Sequence, residues 1–146
     1  MPAAGASDPE ASVPIAAPEA FAYAVLRVVP RVERGEQFNA GVVLFCRRRR
    51  FLAARVDLDE RRLAALAPDV DATTVRAHLD ALVRIAAGDA AGGSVAALEP
   101  SERFGWLVAP SSTVIQCSEV HTGLTEDPAA TLEKLFGELV PLSGSR

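Results

Sequence analysis

The sequence predicts an α+β domain: a mainly antiparallel sheet of about five strands, in the order β-β-β-α-α-β-β-α, with helices packed on one face. Apolar residues alternate in short runs through the first third of the chain, which is typical of strands. Farther on they recur at helical spacing. The length of 146 residues fits one domain, and 49% apolar with 23% charged residues is the balance of a globular protein. We expect residues 1–20 to be a flexible tail, residues 21–141 to form the domain and residues 142–146 to be a C-terminal tail.

Three strands are predicted at the start of the domain. Residues 21–29 are largely apolar at both odd and even positions, as in a strand covered on both faces, and Pro30 ends the run. Residues 31–37 are polar and contain Gly35, so they are predicted to form a loop. Residues 40–46 and 51–56 are the second and third predicted strands, joined through residues 47–50.

Two helices are predicted next. Asp59 is a suitable N-cap for a short helix that ends before Pro68. Asp71 is a suitable N-cap for a longer helix that ends at Gly88, since glycine adopts the left-handed conformation that commonly follows a helix. The apolar stripe of the longer helix consists of Val75, Leu79, Leu82, Val83 and Ala86.

The last third of the chain predicts two more strands and a final helix. Residues 106–109 and 113–118 are short apolar or alternating runs, joined through Pro110, and are predicted to be strands. Asp127 is the predicted N-cap of the final helix, and Pro128 fits its first turn. The apolar stripe of this helix consists of Leu132, Leu135, Phe136, Leu139 and Val140.

The charge of the chain is unevenly distributed. Residues 27–62 hold ten arginines and five acids, or +5, and with a total of −4 the remainder carries −9. A local basic face could therefore meet an acidic partner. No apolar run approaches the roughly 20 residues of a membrane span, and the N-terminus lacks the pattern of a secretory signal. The protein is predicted to be cytoplasmic, with Cys46 and Cys117 as free thiols.

A first polar cluster lies in the loop before the second strand and consists of Arg34, Glu36 and Asn39. These side chains could hydrogen-bond the turn itself or point into a cleft. The segment is not a phosphate-binding loop, because it has no GxxxxGK[ST] pattern and leads into a strand rather than a helix.

A second and larger polar cluster occupies residues 103–123. Its candidate binding residues are Arg103, Trp106, Ser112, Gln116, Ser118, His121 and Thr122. The cluster fits the lining of a binding cleft, and it fits equally well an exposed sheet face with cross-strand hydroxyl pairs. His121 could serve as an acid or base, but no GxSxG or other catalytic signature accompanies it, so no catalytic residue is assigned. The histidines and cysteines have no zinc-site spacing, and neither a metal nor a cofactor is predicted.

Four consecutive arginines occur at residues 47–50 (Arg47, Arg48, Arg49 and Arg50). Such a run is typical of a solvated hairpin tip, and it could alternatively contact phosphate or an acidic protein surface. A nucleic-acid-binding face would normally add interleaved aromatic residues and a basic overall balance, both of which are missing.

Two motifs in the chain resemble an uncharacterised bacterial family, domain of unknown function 3037. The first, R-G-E-x-x-N-x-G-V-V-L, occupies residues 34–44, and Ala40 stands where valine is expected. The second, W-L-x-A-P-x-S-T-V-x-Q-x-S-x-V-H-T-G, occupies residues 106–123. The resemblance spans about residues 21–140. It implies no established activity, catalytic residue or cofactor, but it does imply a partner, since members are often encoded beside a kinase-like protein.

Three functions follow from these features. The leading hypothesis is a non-catalytic interaction or regulatory module, accessory to a kinase-like protein, that binds through residues 34–39 and 116–121. The alternative is a small enzyme or binding protein for a phosphate-bearing ligand, in which Arg34 and Arg103 hold the anion, His121 acts as acid or base and Glu36 orients it. Nucleic-acid binding through residues 47–50 ranks last. The two polar clusters are expected to lie together and form one surface.

Overall fold

The computed structural model describes residues 17–111 and 113–141, so most of the predicted N-terminal tail and the predicted C-terminal tail lie outside the described residues. The strands are β1 (Glu19–Val28), β2 (Phe38–Cys46), β3 (Phe51–Val56), β4 (Ile115–Cys117) and β5 (His121–Thr125). The helices are α1 (Glu60–Leu66), α2 (Ala72–Ala87), α3 (Pro100–Val108) and α4 (Pro128–Leu139). This architecture confirms the predicted α+β class.

All strand pairs of the sheet are antiparallel. The strand order is β3-β2-β1-β4, and β5 also pairs with β1, so β1 has β2 on one side and both C-terminal strands on the other. β2 and β3 form a hairpin through residues 47–50, as predicted.

The sheet carries a hydrophobic core on each of its faces. On one face, residues of β1 to β4 such as Leu26 and Val43 pack with α1, α2 and α3 through side chains such as Leu63, Leu79 and Phe104. On the other face, a second cluster joins the sheet to α4 and consists of Phe21, Val42, Leu44, Cys46, Leu132, Phe136 and Val140. We call these the three-helix face and the α4 face.

The expected arrangement of all helices on one face is therefore wrong for α4. The physical reason is already present in the first strand, which is apolar on both sides. Both faces must be covered by other elements to remove that surface from water. The two cysteines are separated by the sheet, since Cys46 belongs to the α4 core and Cys117 packs against the other one.

The helix boundaries follow the predicted caps. Asp59, Asp71 and Asp127 each accept a hydrogen bond from a backbone N–H in the first turn of the following helix. Gly88 ends α2 with a φ of 73°, which lies in the left-handed region that glycine readily adopts.

The strand predicted at residues 106–109 is wrong, because these residues belong to the end of α3 and the loop that follows. Pro100 lies at the start of α3, and Glu99 and Glu102 form a capping box across its first turn. Phe104 and Leu107, three residues apart, are the buried positions, so the apolar run is one turn of a helix rather than an alternating strand. The fifth strand is instead β5, at residues for which no strand was predicted.

Candidate functional site

β4 and β5 follow one another along the same edge of β1, and the break between them lies within the second polar cluster. Leu26 pairs with Cys117, and Tyr23 pairs with His121. Three residue steps on β1 therefore correspond to four on the edge, and one extra residue bulges out of the ladder. The two short strands behave as one interrupted edge strand.

Ser118 maintains the pairing at this break. Its backbone N–H donates to the Val25 carbonyl at 2.9 Å, and its hydroxyl accepts from the Val25 N–H at 2.9 Å. The same hydroxyl donates to the Glu119 carbonyl at 2.8 Å. The side chain is buried and replaces the carbonyl that a regular ladder would offer to Val25. The structure thus gives this candidate binding residue a structural role.

Two cavities adjoin the break, and we call them together the α3–β4 groove. The first, of about 270 Å³, lies between α2, α3 and β4 and is lined by His78, Leu82, Trp106, Leu107, Ala109, Pro110, Ser111, Thr113, Ile115 and Cys117. The second, of about 310 Å³, is lined by Val108, Pro110, Ser111, Gln116, Cys117, Ser118, Glu119 and Val120. Pro110, Ser111 and Cys117 belong to both linings, so the cavities are neighbours across the loop after α3.

Most polar groups of the groove are already bonded within the protein. The Ser111 and Thr113 hydroxyls lie 2.9 Å apart, and the Thr113 hydroxyl donates to the Ile115 carbonyl at 2.9 Å. The Gln116 amide donates to the Thr113 carbonyl at 3.0 Å. These bonds hold the loop in shape and leave the apolar side chains as the main contact surface of the groove.

Cys117 contributes a neutral thiol to both cavities. Burial raises its pKa to about 11, and the positive charge of Arg27 offsets only part of that effect. The thiol donates a hydrogen bond to the Leu107 carbonyl, with 3.1 Å between sulfur and oxygen. A thiol that stays protonated at neutral pH is a poor nucleophile, so this residue is an apolar wall of the groove rather than a reactive group.

Arg103 lies between α2 and α3 on the three-helix face and is held by the main chain. Its guanidinium donates to the Leu98 carbonyl at 2.6 Å and to the Ala86 carbonyl, near the end of α2, at 3.4 Å. Its Nε atom is buried and has no hydrogen-bond partner among the described residues. A cation at a helix C-terminus is favourable, and here it links the two helices.

The side chains of the first polar cluster are also bonded to other groups of the protein. Arg34 forms an exposed ion pair with Glu36 at 2.9 Å, in a loop whose short 3-10 turn ends at Gly35. The Asn39 amide donates to the Leu139 carbonyl at 2.8 Å and so caps the end of α4.

His121 and Thr122 begin β5 and are exposed. The His121 ring packs on Tyr23, with 5.2 Å between ring centroids, because the two residues are paired across the ladder. Since Tyr23 packs against the α4 core, His121 lies on the opposite face of the sheet from Arg103. Ser112 lies outside the described residues.

The structure therefore brings together only part of the predicted site. Trp106, Gln116 and Ser118 line the groove, whereas Arg34, Glu36, Asn39, Arg103, His121 and Thr122 do not. The phosphate site built from Arg34, Arg103 and His121 finds no support in this geometry, because the two arginines are held by other groups and the histidine lies across the sheet.

The two polar clusters are joined across β1 by Arg27, which was not among the predicted site residues. Arg27 of β1 pairs with Asn39 on one side and with Gln116 on the other, so the three residues form a row across the sheet. An arginine inside an otherwise apolar strand was the signal that could have identified it. The groove residues His78, Pro110 and Val120 were also missed, and for His78 the sequence offers no signal.

The arginine run at residues 47–50 forms the turn between β2 and β3, with Arg50 at φ 51°. Arg49 donates to the Glu126 carbonyl at 2.8 Å and to the Ala17 carbonyl at 2.9 Å. This arginine thus joins the hairpin tip to the start of β1 and to the turn before α4. Arg49 therefore has a structural role in the protein.

Within residues 17–111 and 113–141, no group of three or more His, Cys, Asp or Glu side chains is arranged to hold a metal ion. No helix in the same part of the chain is both long enough and apolar enough to cross a membrane.

Residues 23–140 match the model of a family described as protein of unknown function (DUF3037). The chain belongs to the DUF3037 family. This finding confirms the resemblance carried by the two motifs, both of which lie inside the matched range. All residues that line the α3–β4 groove also belong to the DUF3037 region. No curated protein and no solved structure matches the chain.

Proposed function

We propose that this DUF3037 protein is a non-catalytic interaction module that binds a protein partner through the α3–β4 groove. The observation that carries the proposal is the exposure of two large apolar side chains on one groove. Trp106 lines the first cavity and is 49% exposed, and Val120 lines the second and is 43% exposed. Exposed tryptophan beside a cavity is typical of the residues that dominate protein interfaces.

The chemistry of the groove favours an apolar segment of a partner. The hydroxyl and amide groups of Ser111, Thr113 and Gln116 are satisfied internally, and the Cys117 thiol is neutral. Each cavity lies near or below the lower end of the range of about 300–1,000 Å³ for small-molecule sites. Two adjoining cavities of this size fit two neighbouring apolar side chains of a peptide segment better than one large ligand.

The candidate partner is a kinase-like protein encoded nearby, as the family resemblance implies. In this proposal the module regulates or positions that protein, and residues 34–39 are not part of the contact. These residues line neither cavity of the groove, and the Asn39 amide is bonded to the end of α4.

The test is capture of the partner by the tagged full-length chain, at two salt concentrations, from cells that naturally produce it. We expect one stoichiometric protein, which is then purified and titrated against the wild type and against Trp106→Ala and Val120→Lys. Both variants are expected to weaken binding at least tenfold, or about 1.4 kcal/mol. Because the binding is mainly apolar, it should change little between the two salt concentrations.

Leu98→Ala is the matched control, because Leu98 is also exposed and apolar but does not line the groove. It should bind as tightly as the wild type, and all three variants should keep the wild-type melting temperature. The proposal is wrong if no stoichiometric protein is captured, or if Trp106→Ala and Val120→Lys bind the purified partner as tightly as the control.

A further inference from the structure

The outer edge of β5 is separate from the α3–β4 groove and differs from the other edge of the sheet. β3, at the far edge, has α2 and α4 packed against it and carries Arg55, whose ion pair with Glu133 and position 4.6 Å from the Phe136 ring place charge at that edge. Charged and covered edges prevent strand pairing between molecules. β5 has the sequence His-Thr-Gly-Leu-Thr, with no lysine, arginine, acid or proline.

Three of the five residues of β5 are exposed, namely His121, Thr122 and Leu124. Leu124 is 73% exposed, the most exposed of the large apolar residues described. Among the described residues, β1 is the strand that pairs with β5, and no other strand lies along its outer side. Within residues 17–111 and 113–141, the outer row of N–H and C=O groups of β5 therefore has no strand partner.

The register shows which groups point outward. In an antiparallel ladder, alternate residues direct both backbone groups to the same neighbour. Val25 of β1 bonds to Ser118, and Val29, the residue after β1, bonds to Val114. Since these two partners flank β4, the odd-numbered residues of β1 direct their backbone groups to this edge. Their partners on β5 are His121, Gly123 and Thr125, which leaves the N–H and C=O groups of Thr122 and Leu124 pointing outward.

We propose that this edge binds β5 of a second copy of the chain, antiparallel and related by a twofold axis at Gly123. This register places Thr122 of each copy opposite Leu124 of the other, and the four outward groups of each strand then form four hydrogen bonds between the copies. A twofold interface requires such self-complementarity, in which two residues exchange contacts reciprocally. The sheet would continue through the dimer.

The side chains of the edge fit this pairing. Gly123 would meet Gly123 at the axis, where the absence of side chains avoids a clash; on its inner side it already accommodates the Phe21 ring, which a Cβ would approach to 2.8 Å. Leu124 would be partly covered by Thr122 of the second copy. Glu119 of each copy would lie opposite Asp127 of the other at the ends of the contact, and since both carboxylates are exposed, the dimer should become tighter as the salt concentration rises.

Sedimentation velocity over a range of concentrations tests the proposal on the full chain. We expect a reversible dimer whose dissociation constant rises at least tenfold in Leu124→Lys, which places a charge on the edge. Thr122→Pro should have the same effect, because it removes an N–H that the monomer does not use. Proline is tolerated on an edge strand where its nitrogen faces outward.

Val32→Lys is the matched control, since Val32 is 50% exposed but lies in the loop after β1, away from β5. It should dimerise as the wild type does, and all variants should keep the wild-type far-ultraviolet circular dichroism. A chain that stays monomeric at every concentration overturns the proposal. A dimer that Leu124→Lys and Thr122→Pro leave unchanged overturns it too, since another surface must then form the contact.

Mixed-variant crosslinking tests the register. Under oxidised glutathione, a mixture of Thr122→Cys and Leu124→Cys should form a covalent dimer faster than either variant alone, because only the mixed pair places the two thiols directly opposite each other. The wild type, in which Cys46 is buried and Cys117 partly buried, measures the background. Equal crosslinking of either variant with itself would contradict the proposed axis.

Discussion

The Ser118 hydroxyl shows how a single side chain can stand in for the main chain. It accepts the Val25 N–H at the break between β4 and β5, in a buried position where water cannot replace it. The hydrogen-bonding residues of this segment suggested a binding cleft, and this one turns out to serve the strand pairing.

Ser118→Ala is expected to lower the free energy of unfolding by about 1–3 kcal/mol, because it leaves a buried N–H without an acceptor. Urea unfolding measures the loss, and hydrogen exchange should show faster exchange of the Val25 amide. Ser94→Ala is the control, because Ser94 is exposed and its side chain forms no capping hydrogen bond, and it should change stability little. Equal effects of the two substitutions would contradict the role given to Ser118.

Cys117 makes the free energy of unfolding depend on pH in the alkaline range. Its pKa is about 11 in the folded chain, above the ordinary value of 9.0, so the folded state holds the thiol proton more tightly than the unfolded state does. The free energy of unfolding therefore falls as pH rises from about 9 to about 11. The stabilisation that comes from the protonated thiol is fully present below pH 9.

Cys117→Ala should remove that part of the alkaline loss, so the stability difference between wild type and variant should shrink between pH 9 and pH 11. Urea unfolding at pH 8, 9, 10 and 11 measures this difference, and the comparison cancels the other groups that titrate there. A difference that stays constant over the whole range would show that the thiol is not held in its protonated form.

At the scale of whole elements, two glycines differ in how much space a Cβ atom would find: one lies in the sheet and the other in a helix. Gly41 lies at the bulge between β1 and β2, where a Cβ would come within 2.8 Å of the Arg55 carbonyl and of Val56. Gly105 is in α3, and a Cβ there would meet no atom within 4 Å. The same substitution should therefore have opposite effects at the two positions.

Gly41→Ala is expected to destabilise the protein by about 1–3 kcal/mol, because the backbone of β3 must shift. Gly105→Ala is expected to stabilise it by about 0.5–1 kcal/mol, because alanine restricts the unfolded chain and favours the helix. Thermal and urea unfolding measure both changes. If both substitutions stabilise the protein, the close contact at Gly41 is contradicted, and if both destabilise it, the open space at Gly105 is contradicted.

At the scale of the whole molecule, two cores share one sheet. β1 and β2 contribute side chains to the three-helix face and to the α4 face, so neither core can open without disturbing strands that the other requires. Such sharing favours a single cooperative unfolding transition. Trp106, the only tryptophan, lies on the three-helix face and reports on that side alone.

Phe136→Ala removes a buried side chain from the α4 face and should cost about 3–5 kcal/mol. If unfolding is cooperative, tryptophan fluorescence and far-ultraviolet circular dichroism will report the same lowered midpoint in urea. Leu79→Ala, on the three-helix face, is the matched variant, and Phe136→Leu is the milder change if the first variant does not fold. Separate midpoints for the two signals would show that the faces unfold independently.

Much of the fold could be predicted because the decisive information is local. Aspartate caps, a glycine after α2, proline in the first turn of α4 and an arginine-rich hairpin tip each act on the backbone within a few residues. The residues of α3 were misassigned because four apolar residues fit a strand and a helical turn equally well, and only the packing of Phe104 and Leu107 decides between them.

The candidate site depended much more on the tertiary structure. By itself the sequence determined the fold class, the caps, the two polar clusters and the family motifs, since these require only spacing and residue type. Tertiary structure decided that Arg103 links two helices, that Ser118 completes a ladder and that Trp106 and Val120 share one groove. Such assignments depend on which distant residues become neighbours, because a polar side chain binds a ligand only when the fold has not already satisfied it.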